Sequence, residues 1–242
     1  MRSVEKRSGA KPCRNRLALV VVIFTIAGNP FPSEASEDDL QQWSSVTARY
    51  AVDERLTASL NTRLRFDQDI SRAKDLLLRP GLQLKVGRDL TLGAGYAYSH
   101  AFSSGRSEEH RLWQDVGHKS EVSGIAVGNR LRIEQRFFDD DDSGAVFRLR
   151  GRVRLEHRLT ASPWHLVVSD EVFVNLNARG DSRDSGFEQN RLYLGLARQI
   201  GERVGLEVGY QFGYQEKRDA PDQISHAIVV SFVIRLNPAD LR

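Results

Sequence analysis

From residue 43 to residue 236 the chain alternates apolar and polar residues almost without a break. In "LTASLNTRLRF" one face carries Leu56, Ala58, Leu60, Thr62, Leu64 and Phe66, and the other carries Thr57, Ser59, Asn61, Arg63 and Arg65. Successive side chains of a strand point to opposite faces, so a period of two specifies strands with one apolar and one polar side. Comparable alternation recurs near 76–86, 90–100, 109–118, 125–138, 146–159, 164–176, 188–199, 204–215 and 224–236, with a shorter segment at 43–52. Beyond residue 40 no long stretch shows the helical period. Most candidates run 10–14 residues, against about 5–6 for an ordinary strand and about 9–11 for a tilted bilayer crossing. The chain is all-β by this reading.

The connections follow a rhythm. Short ones are "DER" (53–55), "GRD" (87–89), "ASP" (161–163) and "GER" (201–203), with a somewhat longer one at "KSEVSG" (119–124). Between them fall the long polar segments "DQDISRAKD" (67–75), "FSSGRSEE" (102–109), "DDDDSG" (139–144), "ARGDSRDSG" (178–186) and "EKRDAPDQ" (216–223). Short turns on one side and long loops on the other are the signature of an outer-membrane barrel. The expectation is an antiparallel, up-and-down transmembrane β-barrel of about 10–12 strands. An even count is the rule in bacterial barrels, so either 43–52 is not a full crossing, giving ten, or a further strand makes twelve. Trp164 falls beside a short turn, while Phe66, Tyr98, Phe137, Phe147, Tyr210, Phe212 and Tyr214 approach the other rim, as an aromatic girdle does.

Charge is unevenly placed. Residues 1–16, "MRSVEKRSGAKPCRNR", are basic; the apolar run "LALVVVIFTIA" (17–27) follows, and small residues stand at Ser33 and Ala35. That is the layout of a signal peptide over 1–35, ahead of a barrel over 36–242. Beyond Ala35 the chain holds 25 Arg and 4 Lys against 30 Asp or Glu. A chain so nearly neutral lacks the electrostatic footprint of a nucleic-acid binder. Cys13 lies inside the leader, so no disulfide or thiol chemistry is expected of the exported chain.

The stretch "VFRLRGRVRLEHRL" (146–159) carries Arg148, Arg150, Arg152, Arg154 and Arg158 on one parity with Glu156, and Phe147, Leu149, Val153 and Leu155 on the other. A charge on the lipid face near the bilayer midplane costs about 2–4 kcal/mol, so the arginines are expected to face the lumen. The preceding strand repeats the pattern with Arg130, Arg132, Glu134 and Arg136. The two strands flank "DDDDSG" and are expected as antiparallel neighbours, with Glu134 roughly opposite Arg150 and Arg132 opposite Arg152. Two roles follow. As an anion path, Arg130, Arg132, Arg136, Arg148, Arg150, Arg152, Arg154 and Arg158 would draw small anionic solutes. As struts, they would pair with Glu134, Glu156, Glu171 and Glu207.

In order along the chain, "LGAGYAYSH" (92–100), "EEHRLWQ" (108–114), "NRLRIEQRF" (129–137), "RLRGRVRLEHRL" (148–159), "DEVFVNL" (170–176), "NRLYLGL" (190–196) and "LEVGYQF" (206–212) resemble an uncharacterised family. Its members are predicted outer-membrane β-barrels of this length, a domain of unknown function whose pattern opens on an early Trp such as Trp43. The resemblance implies residence in the outer membrane of a Gram-negative bacterium. It also implies contact with its lipid and lipopolysaccharide, and insertion by the barrel-assembly machinery. One departure is the ending "NPADLR" after "FVIRL", where many such barrels end on an aromatic.

The sequence offers little for catalysis or metal binding, and no cofactor is expected. G-x-S-x-G and H-E-x-x-H are both absent. Six histidines are scattered without ligand spacing; a rim site at His100, Ser103 and His110 is the enzymatic alternative, and the chain is expected not to be an enzyme. Asp139, Asp141, Ser143 and Gly144 suggest a calcium loop, but Arg150 stands where the bidentate Glu is required.

Overall fold

The structure, a computed structural model, describes residues 37–102, 108–139, 144–178, 185–217 and 221–237. The leader over 1–35 and Ser103, Asp141 and Ser143 lie outside them. Eleven strands are present: β1 (Glu37–Ala51), β2 (Leu56–Asp67), β3 (Arg72–Val86), β4 (Leu90–Ala101), β5 (Glu108–Val122), β6 (Ile125–Phe138), β7 (Val146–Arg158), β8 (Trp164–Asn175), β9 (Gly186–Ile200), β10 (Val204–Gln215) and β11 (Gln223–Leu236). Each pairs antiparallel with its chain neighbours, and the sheet closes into a barrel where β1 meets β11.

That closure corrects the expected count. Segment 43–52 belongs to a full strand, and the barrel has eleven strands rather than ten or twelve. An odd number closes because β1 and β11 run parallel, in register from Glu37↔Gln223 to Tyr50↔Leu236. Parallel pairing uses the same backbone donors and acceptors in a slanted pattern, so no sheet edge is left open.

The rhythm of connections is less regular than the sequence suggests. At one rim "KSEVSG" is mostly strand, leaving a two-residue turn at Ser123 and Gly124, both at positive φ (51° and 79°), the backbone of a type I′ hairpin. At the other rim the polar segment 67–75 is a connection of only 68–71, made tight by positive φ at Gln68, Asp69 and Ile70. Strand β3 begins earlier than its alternation shows, because the register shifts there between Arg65 and Phe66. A bulge breaks the period of two, so the extra strand residues read as loop. The turn after β1 is set by Asp53, whose Oδ1 accepts the N–H groups of Arg55 and Leu56 at 2.7 Å each. Those backbone donors hold its carboxyl below the usual carboxylate range.

Burial is inverted relative to a soluble sandwich. Among the most buried residues are Asp75, Glu109, Asp115, Arg132, Glu134, Arg136, Arg148 and Arg150. The exposed ones include Leu60, Leu82, Leu112, Leu131, Phe147, Leu192, Leu194 and Ile228, all on the outward parity of their strands. Most charged side chains thus turn inward and most apolar ones outward; Asp170 and Arg198, on the outward parity of β8 and β9, are exceptions.

The parallel seam yields a direct check. Ser45 and Ser231 are paired across it with their hydroxyl oxygens 2.9 Å apart. The double variant Ser45→Cys/Ser231→Cys is expected to cross-link on oxidation and to migrate as a covalently closed barrel on non-reducing gels. Failure to cross-link in the folded protein would contradict closure through β1.

Candidate functional site

The interior of the barrel is the candidate site, because the inward parity of nearly every strand delivers charge there. The β6–β7 hairpin sits two residues from the expected register: Glu134 lies opposite Arg148, Arg132 opposite Arg150, and Arg130 opposite Arg152. Alternation fixes the face of a strand but not its offset, and a slip of two preserves the face. All four arginines of the ladder from Arg148 to Arg154 therefore still point inward.

At the centre of this wall is Glu134, 1% exposed. Its Oε2 accepts Arg148 Nη2 at 2.6 Å and Nε at 3.1 Å, and its Oε1 accepts Arg150 Nη1 at 2.6 Å. From there the pairing extends both ways. Arg150 donates to Glu171 Oε1 at 2.9 Å, and Arg130 reaches the same oxygen at 2.5 Å. On the other side, Arg148 donates to Glu188 at 3.0 Å, Glu188 also takes Arg136 at 3.3 Å, and Glu109 binds both Arg136 and Arg111. The result is one unbroken line of alternating charge: Arg111, Glu109, Arg136, Glu188, Arg148, Glu134, Arg150, Glu171, Arg130. Separate pairs join Arg132 to Asp115 at 2.5 Å and Arg154 to Glu207 at 2.6 Å and Glu156 at 2.6 Å.

Arg132 also lies 4.2 Å over the ring of Trp113. That indole rests on a pad made by Gly81 and Gly95, where any Cβ would collide with it. Guanidinium, indole and glycine pad stack against the inner wall formed by β3 to β6.

The sequence-predicted residues thus separate. Arg130, Arg132, Arg136, Arg148, Arg150 and Arg154 are held by carboxylates, and Glu134, Glu156, Glu171 and Glu207 all serve as acceptors. Arg152 is interior and stands opposite Glu171 in register. That carboxylate is taken by its diagonal neighbours, which leaves Arg152 Nε without an acceptor among the described residues. Arg158 is exposed at the short-turn rim beside Leu159–Pro163. At the opposite rim His110 pairs with Tyr96 and His100 lies 3.6 Å from Glu108.

Sequence reasoning missed the other wall. A cavity of about 380 Å³ occupies the half of the lumen nearest the long loops. It is lined by Arg63, Arg65, Arg72, Lys74, Arg79, Arg111, Arg136, Arg148, Arg150 and Arg191 against only Asp67, Asp75, Glu109 and Glu188. Arg63 and Arg65 carried a visible signal, the polar face of "NTRLRF". Arg79 and Arg191 are isolated among mostly apolar neighbours in "LLLRPGL" and "NRLYLGL", and only closure of the barrel brings them to the same chamber. Trp43 lies at its edge with Arg63, Arg65 and Arg191 at 5.2, 5.0 and 4.9 Å from its ring centre.

Residues 40–224 match the model of a family described as a protein of unknown function (DUF2490). The chain belongs to this family. An uncharacterized protein of Methylorubrum extorquens is 28% identical to it over 228 residues, covering 92% of this chain and 99% of that one. The DUF2490 match begins inside β1 and ends inside β11, so it takes in the whole line of alternating charge and the cationic chamber.

Glu134 gives the site a stability test. Breaking a buried pair from one side leaves uncompensated charge and costs about 3–5 kcal/mol, whereas an exposed pair contributes about 0–1 kcal/mol. Glu134→Gln, which takes a buried carboxylate from two arginines and leaves them only Glu188 and Glu171, is expected to lower the urea midpoint of the detergent-folded barrel markedly. Glu156→Gln, at a side chain 38% exposed, is expected to change it little. Equal effects would contradict the pairing described.

Proposed function

We propose that this protein is an outer-membrane β-barrel of a Gram-negative bacterium whose arginine-lined lumen is a narrow path for small anionic solutes. Support for the membrane begins with the inverted burial. An outward surface of Leu, Val and Ile with a charged interior suits lipid outside and water within. Aromatic side chains gather near both rims: Trp164 under Arg198 at the short turns, and Tyr96, Tyr98, Tyr210 and Phe212 with His110 and His226 toward the long loops. Amphipathic rings of this kind favour the headgroup layer. Outer-membrane lipid, lipopolysaccharide and the barrel-insertion machinery are its partners in this reading.

One observation carries the choice of solute. The chamber near the long loops presents ten cationic side chains and four carboxylates. Tracks of Arg or Lys select anions in pores, and a guanidinium offers a planar fork that matches carboxylate and phosphate oxygens. The protein is not an enzyme in this reading, and no residue is given a catalytic role.

A second reading rests on Glu134 and the line of charge through it. If those pairs fill the lumen completely, the barrel is a strutted structural element that conducts nothing. Two measurements separate the alternatives. Cell fractionation is expected to place the protein in the outer membrane, with heat-modifiable gel mobility; recovery from the soluble periplasm would overturn the membrane assignment. In planar bilayers under a KCl gradient, the native barrel is expected to give a reversal potential on the anion side, moved toward zero by Arg63→Gln/Arg152→Gln. A silent native barrel would establish the strutted alternative.

A further inference from the structure

Three guanidiniums of the chamber differ from all its other cations. Arg63, Arg79 and Arg191 take part in no ion pair among the described residues, and the Nε of each is shielded from solvent without an acceptor. Arg191 donates only to a neutral amide, Gln189 Oε1 at 2.9 Å. They are not dispersed. Arg63 and Arg79 are diagonal neighbours on β2 and β3, flanking the pairs Arg63↔Leu77 and Asn61↔Arg79. Arg191 reaches from β9 to the same Trp43 ring that Arg63 covers. Arg63 repels both Arg79 and Arg191, and all three repel Arg150; Asp75, Glu134 and Glu171 attract Arg63, Arg79 and Arg191 respectively without forming an ion pair with them.

The carboxylates that attract them are already bonded to other arginines: Glu134 binds Arg148 and Arg150, and Glu171 binds Arg150 and Arg130. Asp75 binds Arg65, Glu109 binds Arg111 and Arg136, and Glu188 binds Arg136 and Arg148. Buried donors without acceptors and like charges without counter-charge are each unfavourable. Their persistence in one place points to an acceptor supplied from outside the chain. We propose that Arg63, Arg79 and Arg191 form a binding site for a small multivalent oxyanion, phosphate or polycarboxylate in chemistry. Several forked donors converging on one chamber suit a ligand with several oxygens and more than one negative charge. A single halide has one charge and no geometry for the forks to match, so it is held less tightly than such an oxyanion and occupies the chamber only at the high concentration of a soak. The chamber's volume, about 380 Å³, admits a solute of metabolite size.

This inference rests on the anion reading of the lumen, but it is tested separately from conduction. The detergent-folded full barrel is titrated calorimetrically with inorganic phosphate and, in a second arm, with citrate, both in a chloride background. Saturable binding is expected, together with a rise in the thermal unfolding midpoint with ligand concentration. Each of Arg79→Gln and Arg191→Gln should weaken it about 10- to 100-fold, since a charge-assisted hydrogen bond is lost. Both variants should fold at least as well as the native protein, because neither removes a partner from a carboxylate. Arg158→Gln, at the far rim, should bind normally. Preference for phosphate assigns the site to phosphoryl groups, and preference for citrate to carboxylates. Absent or non-saturable binding of both, or affinity unchanged in both variants, overturns the site even in an anion-selective channel. Saturable binding in a barrel that conducts nothing would sustain the site and sink the transport reading.

Discussion

Everything inside this barrel depends on how Glu134 divides one carboxylate between two arginines. Removing charges from water is expensive, and mutual attraction repays that cost only when geometry is good and the remaining donors are satisfied. Glu134 meets this condition with three hydrogen bonds to Arg148 and Arg150. Each of those arginines then turns its free edge to a further carboxylate, Glu188 or Glu171. The pattern propagates because a guanidinium has five donors in a fork and a carboxylate has four acceptor sites. Neither can be saturated by one partner, so the pairs become a line. That line crosses β5 to β9 and ties together strands whose outward faces are too apolar to hold one another by charge.

Its limit is as informative as its extent. On β2, β3 and β9, Arg63, Arg79 and Arg191 face the lumen outside any ion pair among the described residues, each with a buried Nε that has no acceptor there. The lumen therefore combines a continuous line of ion pairs with a cluster of buried donors left without a carboxylate partner. The cationic surplus lies in the chamber of the lumen nearest the long loops, where ten cationic side chains meet four carboxylates. The same residue type thus stands in two settings, bonded where a carboxylate is near and outside any ion pair where none is.

Much of this was legible in the sequence, for a definite reason. Period two survives translation into any antiparallel sheet, so the inward parity of Arg148, Arg150, Arg152 and Arg154 followed without knowledge of the register. Partners required more. The offset between β6 and β7 is set by the connection at 139–145, and a slip of two residues leaves no mark on the alternation. Bulges hide strands for the same reason: the shift near Phe66 made 72–75 read as loop. Direction is also invisible to a pattern of alternation, so a parallel seam between Trp43's strand and Val229's strand could not be foreseen, and parity alone favoured an even count. Arg79 and Arg191 were the hardest. Each stands alone in "LRPG" and "NRLYL", with 111 residues between them, and their common chamber exists only once the ring of strands has closed.

If the guanidiniums of Arg63, Arg79 and Arg191 lack a counter-charge, anions reside in the chamber nearest the long loops. Anomalous diffraction from crystals soaked in bromide, and separately in rubidium, locates each ion where it sits. Bromide peaks are expected inside the chamber, within contact distance of Arg63, Arg79 or Arg191, and no rubidium there. Rubidium in the chamber, or bromide confined to the outer surface while the interior stays empty, would contradict an anion-holding chamber.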